Sequence, residues 1–305
     1  MIRAVTITNY LGESIRIDLF NPEESGYIVR SITGLGSGKA DINISEVATD
    51  DGGIYNSSRA QSRSITISLT FYMYKDSIET LRQRTYKYFP KKKPLKLLIE
   101  TDNRMAEIVG YVEENEPSIF SKNEGSDIVI KCPSPYFYSA GDDKKNITVF
   151  SEIEPLFEFP FENNSLTEDL IEMGEIKNKA ENVVVYNGDI ETGVIITIHA
   201  LDEVGDITIY NIRTREVMSI SVEKISKITG KGIIAGDDII INTIKRNKGI
   251  TLLRNGEYTN ILNCLNKNAD WFQLKKGDNI FAYTAKFGSS SLQFKIENQL
   301  LYEGI

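Results

Sequence analysis

The feature that most constrains the fold of this chain is a run of strictly alternating apolar and polar residues. It is clearest at residues 64–71, SITISLTF, where every second position is apolar: Ile65, Ile67, Leu69 and Phe71. Successive side chains of an extended strand point to opposite faces, so this spacing puts all four apolar side chains on one face. The pattern predicts a β-strand with one face buried in a core and the other toward solvent.

Similar strand-like runs recur along most of the chain. In the first half they include PLKLLIE, RMAEIVGYVEE and SDIVIKC, and in the second half NITVF, VIITIHA, GDITIYNIRT, NIFAYTAKF and SLQFKIEN. Turn sequences such as YNGD, GDD and RNGE separate the runs of the second half, as expected between antiparallel strands. This succession predicts a mainly β chain whose second half is a β-sandwich.

One stretch of the first half follows helical spacing instead. Within KDSIETLRQRTYKYFP, residues 75–90, apolar side chains recur three or four positions apart, and Asp76 and Glu79 have the spacing of a capping box. Pro90 ends the pattern, because proline cannot continue a helix. We therefore predict a first domain in which one helix lies against a mostly antiparallel sheet or split β-barrel.

Turn-rich segments divide the chain. Domains commonly contain about 100–200 residues, so a chain of 305 residues is expected to form two. The segment CPSPYFYSAGDD separates the two sets of strands and predicts domains at residues 1–141 and 142–305. Residues 34–62 form a long segment rich in Gly, Ser and Asp, and loops of this length are usually functional or disordered.

Charge and composition exclude several classes of protein. The formal net charge is −8 and the isoelectric point is near 5.0, whereas a nucleic-acid-binding surface needs clustered basic residues. No run approaches the ~20 apolar residues of a membrane span, and MIRAVTITNYLGES lacks the apolar core of a signal peptide. We expect a soluble protein, made in the cytosol, without stable nucleic-acid binding or membrane insertion.

Residues that commonly carry catalysis are scarce. The only histidine, His199, lies in the apolar run VIITIHAL, and Cys132 and Cys264 are far apart, so we interpret all three as core side chains. P-loop, dinucleotide, nucleophile-elbow and HExxH motifs are absent. Carboxylate pairs at 50–51, 113–114, 142–143 and 237–238 adjoin turn residues, which favours solvated loops, with a glycosidase as one alternative. We predict no catalytic, metal or cofactor site.

Trp271, the only tryptophan, allows two interpretations. It lies near Leu274 just before a Gly-Asp-Asn turn, in the segment NADWFQLKKGDNIFAY. An indole can stack on a sugar or a base, but large aromatic side chains near strand ends are more often packed in a core. We predict that Trp271 fills the space between the two inner faces of the sandwich.

Several of these segments, taken in order, resemble the distal tail proteins of tailed bacteriophages. In the first half the matching segments are SITISLTF after an Arg-containing loop, the helix IETLRQRTYKYF, the strands PLKLLIE and RMAEIVGYVEE, and the closing CPSPYFY. In the second half they are YNGDIETGVIITIHA, then GDDIIINT with RNGE after it, and DWFQLKKGDNIFAY. The resemblance spans nearly the whole chain.

The resemblance implies a tail-tube-like N-terminal domain that assembles into a hexameric ring around the DNA channel. It also implies a C-terminal galectin-like sandwich that carries receptor-binding or baseplate proteins. Further implied partners are the tail tube protein and the tail hub or tail-associated lysin protein, in a virion tail assembled in the host cytoplasm. The family is structural, so the resemblance implies no enzyme activity.

Four charged residues become candidates for facing the channel or the ring interface: Asp50, Asp51, Arg59 and Arg63. An acidic lumen lets DNA slide, because basic contacts would retain phosphates. Ring contacts are expected from edge strands and from residues 34–62, since unpaired strand edges readily pair. The alternative function is a module that binds host-surface carbohydrate through Trp271 and carboxylates in the turns.

Overall fold

The computed structural model describes residues 1–46, 51–154 and 175–305, and the fold is mainly β, as predicted. The chain forms two compact units. Unit 1 comprises Met1–Lys144 and Leu300–Ile305, and unit 2 comprises Lys145–Gln299.

Unit 1 contains most of its strands before residue 140. Its elements are β1 (Ile2–Thr8), β2 (Ser14–Asp18), α1 (Pro22–Ser25), β3 (Tyr27–Thr33), β4 (Ala40–Glu46), β5 (Gly53–Ala60), β6 (Arg63–Phe71), α2 (Ile78–Tyr88), β7 (Pro94–Thr101), β8 (Met105–Ser118), β9 (Gly125–Cys132) and β10 (Phe137–Ser139), followed by a short 3-10 turn at Gly141–Lys144. The last strand of the chain, β23 (Leu301–Tyr302), also belongs to this unit.

A nine-stranded antiparallel sheet forms the body of unit 1. Its main path runs β2-β1-β7-β8-β9-β6-β3, and β10 pairs with both β8 and β23. Within the described residues, β2 and β3 end this path without pairing to each other. Of the two predicted forms, sheet or split barrel, the structure therefore has the open sheet.

The predicted inward face of β6 is confirmed, because Ile65, Ile67, Leu69 and Phe71 are all buried. They join a core built from the inward side chains of β1, β7, β8 and β9. Each fully buried side chain of this size contributes about 1.5–3 kcal/mol. Cys132 lies in the same core as a free thiol, and burial raises its pKa to about 11.

The predicted helix is confirmed as α2, but its capping residue differs from the prediction. The Ser77 side chain accepts a hydrogen bond from the Thr80 backbone N–H at 3.2 Å. Asp76 lies one residue too early to cap this turn and instead accepts from Arg84 at 2.7 Å. The helix buries Leu81 and ends before Pro90, as its sequence requires.

Unit 2 begins with β11 and ends with β22. Its elements are β11 (Asn146–Val149), β12 (Ser151–Glu154), β13 (Glu175–Asn178), β14 (Glu181–Tyr186), β15 (Ile195–Ala200), β16 (Ile207–Asn211), β17 (Glu216–Ile220), α3 (Val222–Thr229), β18 (Asp238–Asn242), β19 (Gly249–Arg254), β20 (Glu257–Asn260), β21 (Gly277–Ala285) and β22 (Leu292–Asn298), with 3-10 turns at Leu262–Cys264 and Ser289–Ser291.

Two antiparallel sheets pack face to face in unit 2, so the predicted sandwich is confirmed. The six-stranded sheet has the order β11-β22-β15-β18-β19-β20, and the four-stranded sheet has the order β14-β21-β16-β17. Tyr283 of β21 stacks on Phe294 of β22 with 4.9 Å between ring centroids. The Tyr283 hydroxyl donates to the Leu292 carbonyl at 3.2 Å, which satisfies the one polar atom of a buried ring.

After β22 the chain returns to unit 1. Strand β23 pairs with β10, with Tyr302 opposite Phe137, and Tyr302 joins the core of unit 1. We call Leu300–Ile305 the return segment. The predicted second domain included these residues, whereas their strand pairing places them in unit 1. Ser139 and Leu300, which are in contact, are 161 residues apart in the sequence. No local sequence pattern reveals a pairing over such a separation.

Candidate functional site

Residues 34–62, predicted to be a long loop, form a β-hairpin. Strands β4 and β5 pair only with each other in the described part of unit 1, as a two-stranded sheet separate from the nine-stranded one. Every residue of both strands is exposed except Asp41, which is half-buried. An isolated two-stranded hairpin is marginally stable in water, so this one is a candidate for burial against a partner.

One face of the hairpin is apolar. Ile44 lies opposite Tyr55, and Ile42 follows two residues away on the same face. Ile42 is 62% exposed, Ile44 is 56% exposed and Tyr55 is 61% exposed. Apolar side chains grouped on an unpaired strand mark an interaction surface, because each leaves apolar area in contact with water.

The other face of the hairpin is mostly polar and internally bonded, although the exposed Ile54 lies on it opposite Ser45. Arg59 Nε donates to Asp41 Oδ2 at 2.9 Å, and the Gln61 amide donates to the other carboxylate oxygen. Hydrogen bonds from Gln61 and Arg59 hold the pKa of Asp41 below its usual value. The hairpin is therefore amphipathic, which the sequence hides because a β-bulge after Asn43 shifts the register of β5.

The predicted channel or interface residues fall in three environments. Asp50 lies outside the described residues, and Asp51 is exposed at the end of the hairpin. Arg59 is exposed on the polar face of the hairpin. Arg63 is instead buried within unit 1, at 4% exposure.

Arg63 lies at the base of the hairpin and binds backbone carbonyl groups. Its Nε donates to Pro135 at 2.9 Å, one terminal nitrogen donates to Gly34 and Gly36, and the other donates to Glu303 at 2.6 Å. Its guanidinium also lies 4.5 Å over the Phe137 ring. An arginine at the start of a strand gives no sequence signal for this role.

In unit 2, only one of the three predicted core residues is fully buried. Leu274 is fully buried, but Trp271 is half-buried and Phe272 fills the core position beside it. Burial alternates along residues 271–274, and Phe272 and Leu274 take the inward positions. The Trp271 indole instead lies 5.1 Å below the Lys248 ammonium nitrogen.

His199 is also not a core residue, because the neighbours Ile198 and Ala200 take the inward positions of β15. Its side chain is 37% exposed, and Nδ1 lies 2.8 Å from the Asp238 carboxylate on the adjacent strand β18. The sequence run VIITIHAL predicted burial from composition, whereas alternation assigns this position to the outer face.

The carboxylate pair at 237–238 is not simply solvated as predicted. Asp237 is buried and forms a two-point ion pair with Arg254, from Nε at 2.8 Å and Nη2 at 2.5 Å. Arg254 Nη2 also donates to the Gly232 carbonyl, and the hydrogen bond to Asp237 raises the pKa of Arg254. Both carboxylate oxygens of Asp237 thus accept hydrogen bonds from Arg254, which indicates a structural role for Asp237.

The remaining predicted carboxylate pairs are only partly described by the structure. Glu113 pairs with Lys131 at 3.5 Å on the exposed face, and the side chains of Asp142 and Asp143 lie outside the described residues. Among the described residues, no group of His, Cys, Asp and Glu side chains is arranged to hold a metal ion. No helix in that part of the chain has the length and apolarity to span a membrane.

Comparison with known proteins gives a match in structure only. No protein-family model and no curated protein matches the chain. It is similar to the crystal structure of the SPP1 Dit (gp 19.1) protein, a paradigm of the hub adsorption apparatus in phages that infect Gram-positive bacteria. The two are 11% identical, the match covers 97% of this chain and 99% of that chain, and the TM-score is 0.63.

A second match is the baseplate of phage P2 in its activated conformation with Ca, at 13% identity, 98% coverage of each chain and a TM-score of 0.45. The SPP1 match shows that the chain has the fold of a distal tail protein, as the sequence resemblance implied.

Proposed function

We propose that this chain is a structural, non-catalytic subunit of the tail tip or baseplate of a tailed phage or a tail-like particle. Six copies form a ring that joins the tail tube to the hub and leaves a central channel for DNA. The distal-tail fold and its match to a phage hub protein support the tail-tip role. The acidic net charge of −8 suits a conduit that must not retain DNA.

The observation that carries the ring assembly is the amphipathic hairpin of unit 1. Its apolar side chains Ile42, Ile44 and Tyr55 are more than half exposed. Packing this face against the next copy would bury it six times around the ring. Head-to-tail contacts between identical subunits form a closed ring when the rotation between neighbours closes, so each copy would offer the hairpin face to one neighbour and a complementary surface to the other.

Unit 2 supplies the second half of the proposal. We assign to its sandwich the docking of receptor-binding or other baseplate proteins, with the tail hub as a further partner of the ring. The likeness of this sandwich to galectins belongs to the same proposal. In this arrangement the ring is part of the virion tail, and it assembles in the host cytoplasm.

The first experiment is the mass of the purified protein by light scattering, followed by negative-stain imaging. A closed ring of 6 × 34.4 kDa, about 206 kDa, is expected. The matched variants are Ile44→Asp on the hairpin and Leu201→Asp in unit 2, which change side chains of similar exposure, 56% and 50%. Only Ile44→Asp should abolish the ring. A monomer at every concentration of the unmodified protein would contradict self-assembly.

One observation favours the carbohydrate-binding alternative. Trp271 is half-buried beside Lys248 and does not plug the core, so part of the indole remains available for stacking on a sugar. As the only tryptophan, it would report binding by a change in fluorescence. If the protein acts in ring assembly and does not bind carbohydrate, titration with host-surface glycans should leave the fluorescence spectrum of the unmodified protein unchanged. Saturable quenching, together with glycan binding measured by calorimetry that Trp271→Phe removes, would establish the alternative.

A further inference from the structure

The contacts of Arg63 connect two parts of unit 1 that are distant in sequence. In the part of the chain that the structure describes, this buried guanidinium forms no ion pair, and its partners are backbone carbonyl groups. Gly34 and Gly36 precede the hairpin, and Glu303 belongs to the return segment. A fixed fork of donors such as a guanidinium can hold several carbonyl groups in one geometry.

The return segment also contacts the hairpin base directly. The Ile305 N–H donates to the Leu35 carbonyl at 3.0 Å. A Cβ at Gly304 would lie 3.0 Å from the carbonyl carbon of Gly36 and 3.2 Å from its Cα. The two backbones therefore lie close together, and a Cβ at position 304 would require the backbone at Gly36 to shift by a few tenths of an ångström.

These contacts matter because, in the residues that the structure describes, the hairpin base is held to unit 1 by them and by Leu35, which is buried in the core. In the described structure, β4 and β5 share no strand pairing with the nine-stranded sheet. The hairpin joins it through two short connections, residues 34–39 after β3 and residues 61–62 before β6. Arg63 and the return segment hold the first connection, and Arg63 is itself the residue where the second one ends.

We infer that Arg63 and residues 303–305 are positioning elements that fix the base of the hairpin and so set its orientation for assembly. The inference rests on the proposed ring function and adds an order of events to it. The return segment follows unit 2 in the chain, so its contacts from Glu303 and Ile305 complete the hairpin base only after unit 2 has been synthesised. Incomplete chains lack these contacts, and we expect them not to enter the ring.

The test compares two glycine variants by hydrogen–deuterium exchange. Gly304→Ala puts a methyl group against the Gly36 backbone, whereas Gly36→Ala, in the same connection, puts one into open space. The amide of Gln61 reports on the hairpin base, because it donates to the Lys39 carbonyl there. We expect Gly304→Ala to raise its exchange rate about tenfold or more, and Gly36→Ala to change it less than about twofold.

A second variant tests Arg63 itself without removing its charge. Arg63→Lys replaces three nitrogens by one, so it cannot reach all four carbonyl groups together. Exchange at Gln61 should rise, while Trp271 fluorescence, which reports on unit 2, should stay unchanged. Equal exchange in the unmodified protein, Gly304→Ala and Arg63→Lys would overturn the positioning role.

Native mass spectrometry of the same samples separates this inference from the ring function. Rings in the unmodified protein and in Gly36→Ala, but not in Gly304→Ala, would support both. Rings that persist in Gly304→Ala despite fast exchange would overturn the link from base to assembly while leaving the ring function intact. Absence of rings from the unmodified protein would overturn the ring function, and the exchange comparison would still decide the positioning role.

Discussion

At the scale of single residues, Asp237 and Arg254 form an ion pair with a buried carboxylate in unit 2. Asp237 is 1% exposed, and the Arg254 side chain is 17% exposed. A carboxylate removed so completely from water is tolerated because one guanidinium binds both of its oxygens. The pair also ties β19 to the turn before β18 through the Gly232 carbonyl. Removal of this ion pair should therefore lower the stability of the sandwich.

Asp237→Asn should lower the free energy of unfolding of unit 2 by about 1–3 kcal/mol, because it leaves the partly buried Arg254 charge without its carboxylate partner. Urea unfolding followed by Trp271 fluorescence measures this directly. The control is Glu223→Gln, which breaks the exposed Glu223–Lys227 pair on α3 and should leave the midpoint unchanged. An Asp237→Asn protein with an unchanged midpoint would contradict the structural role of the pair.

At the scale of elements, helix α2 shows which local interaction sets its start. Ser77→Ala removes the side-chain acceptor of the Thr80 N–H and should destabilise unit 1 by about 1 kcal/mol. It should also speed exchange of the Thr80 amide. Asp76→Asn weakens the contact with Arg84 but leaves the cap intact, so Thr80 exchange should not change. If Asp76→Asn speeds it as much as Ser77→Ala, Asp76 contributes to the cap.

The elements that the sequence predicted are those whose signal is local. The alternation of β6 and the helical spacing of α2 arise within about ten residues, because burial on one face imposes the period. Residue type predicts core positions for Trp271 and His199, whereas the alternation of buried and half-buried positions around each puts its neighbours in the core instead. The hairpin escaped prediction because neither of its faces is buried within the chain, so no core imposes a pattern on it.

At the scale of the whole molecule, unit 2 is an insertion into unit 1. Asn146 and Asn298, near its two ends, are paired on the neighbouring strands β11 and β22. Paired neighbouring strands lie about 5 Å apart, so the chain enters and leaves unit 2 at one place. In unit 1 the Ser139 N–H donates to the Leu300 carbonyl at 2.9 Å, so the segments that flank the insertion also meet there. Each unit can therefore form its own sheets without the other.

This insertion predicts that the ring depends on unit 1 alone. Replacing residues 145–299 by a short Gly-Ser linker keeps β10, β23 and the return segment, so the nine-stranded sheet and the Arg63 contacts should form. Native mass spectrometry should find six copies, as for the full chain at the same concentration. Adding Ile44→Asp to the shortened chain should return it to a monomer, because the apolar hairpin face is then lost. A folded monomer from the shortened chain, beside a hexamer from the full chain, would locate essential ring contacts in unit 2.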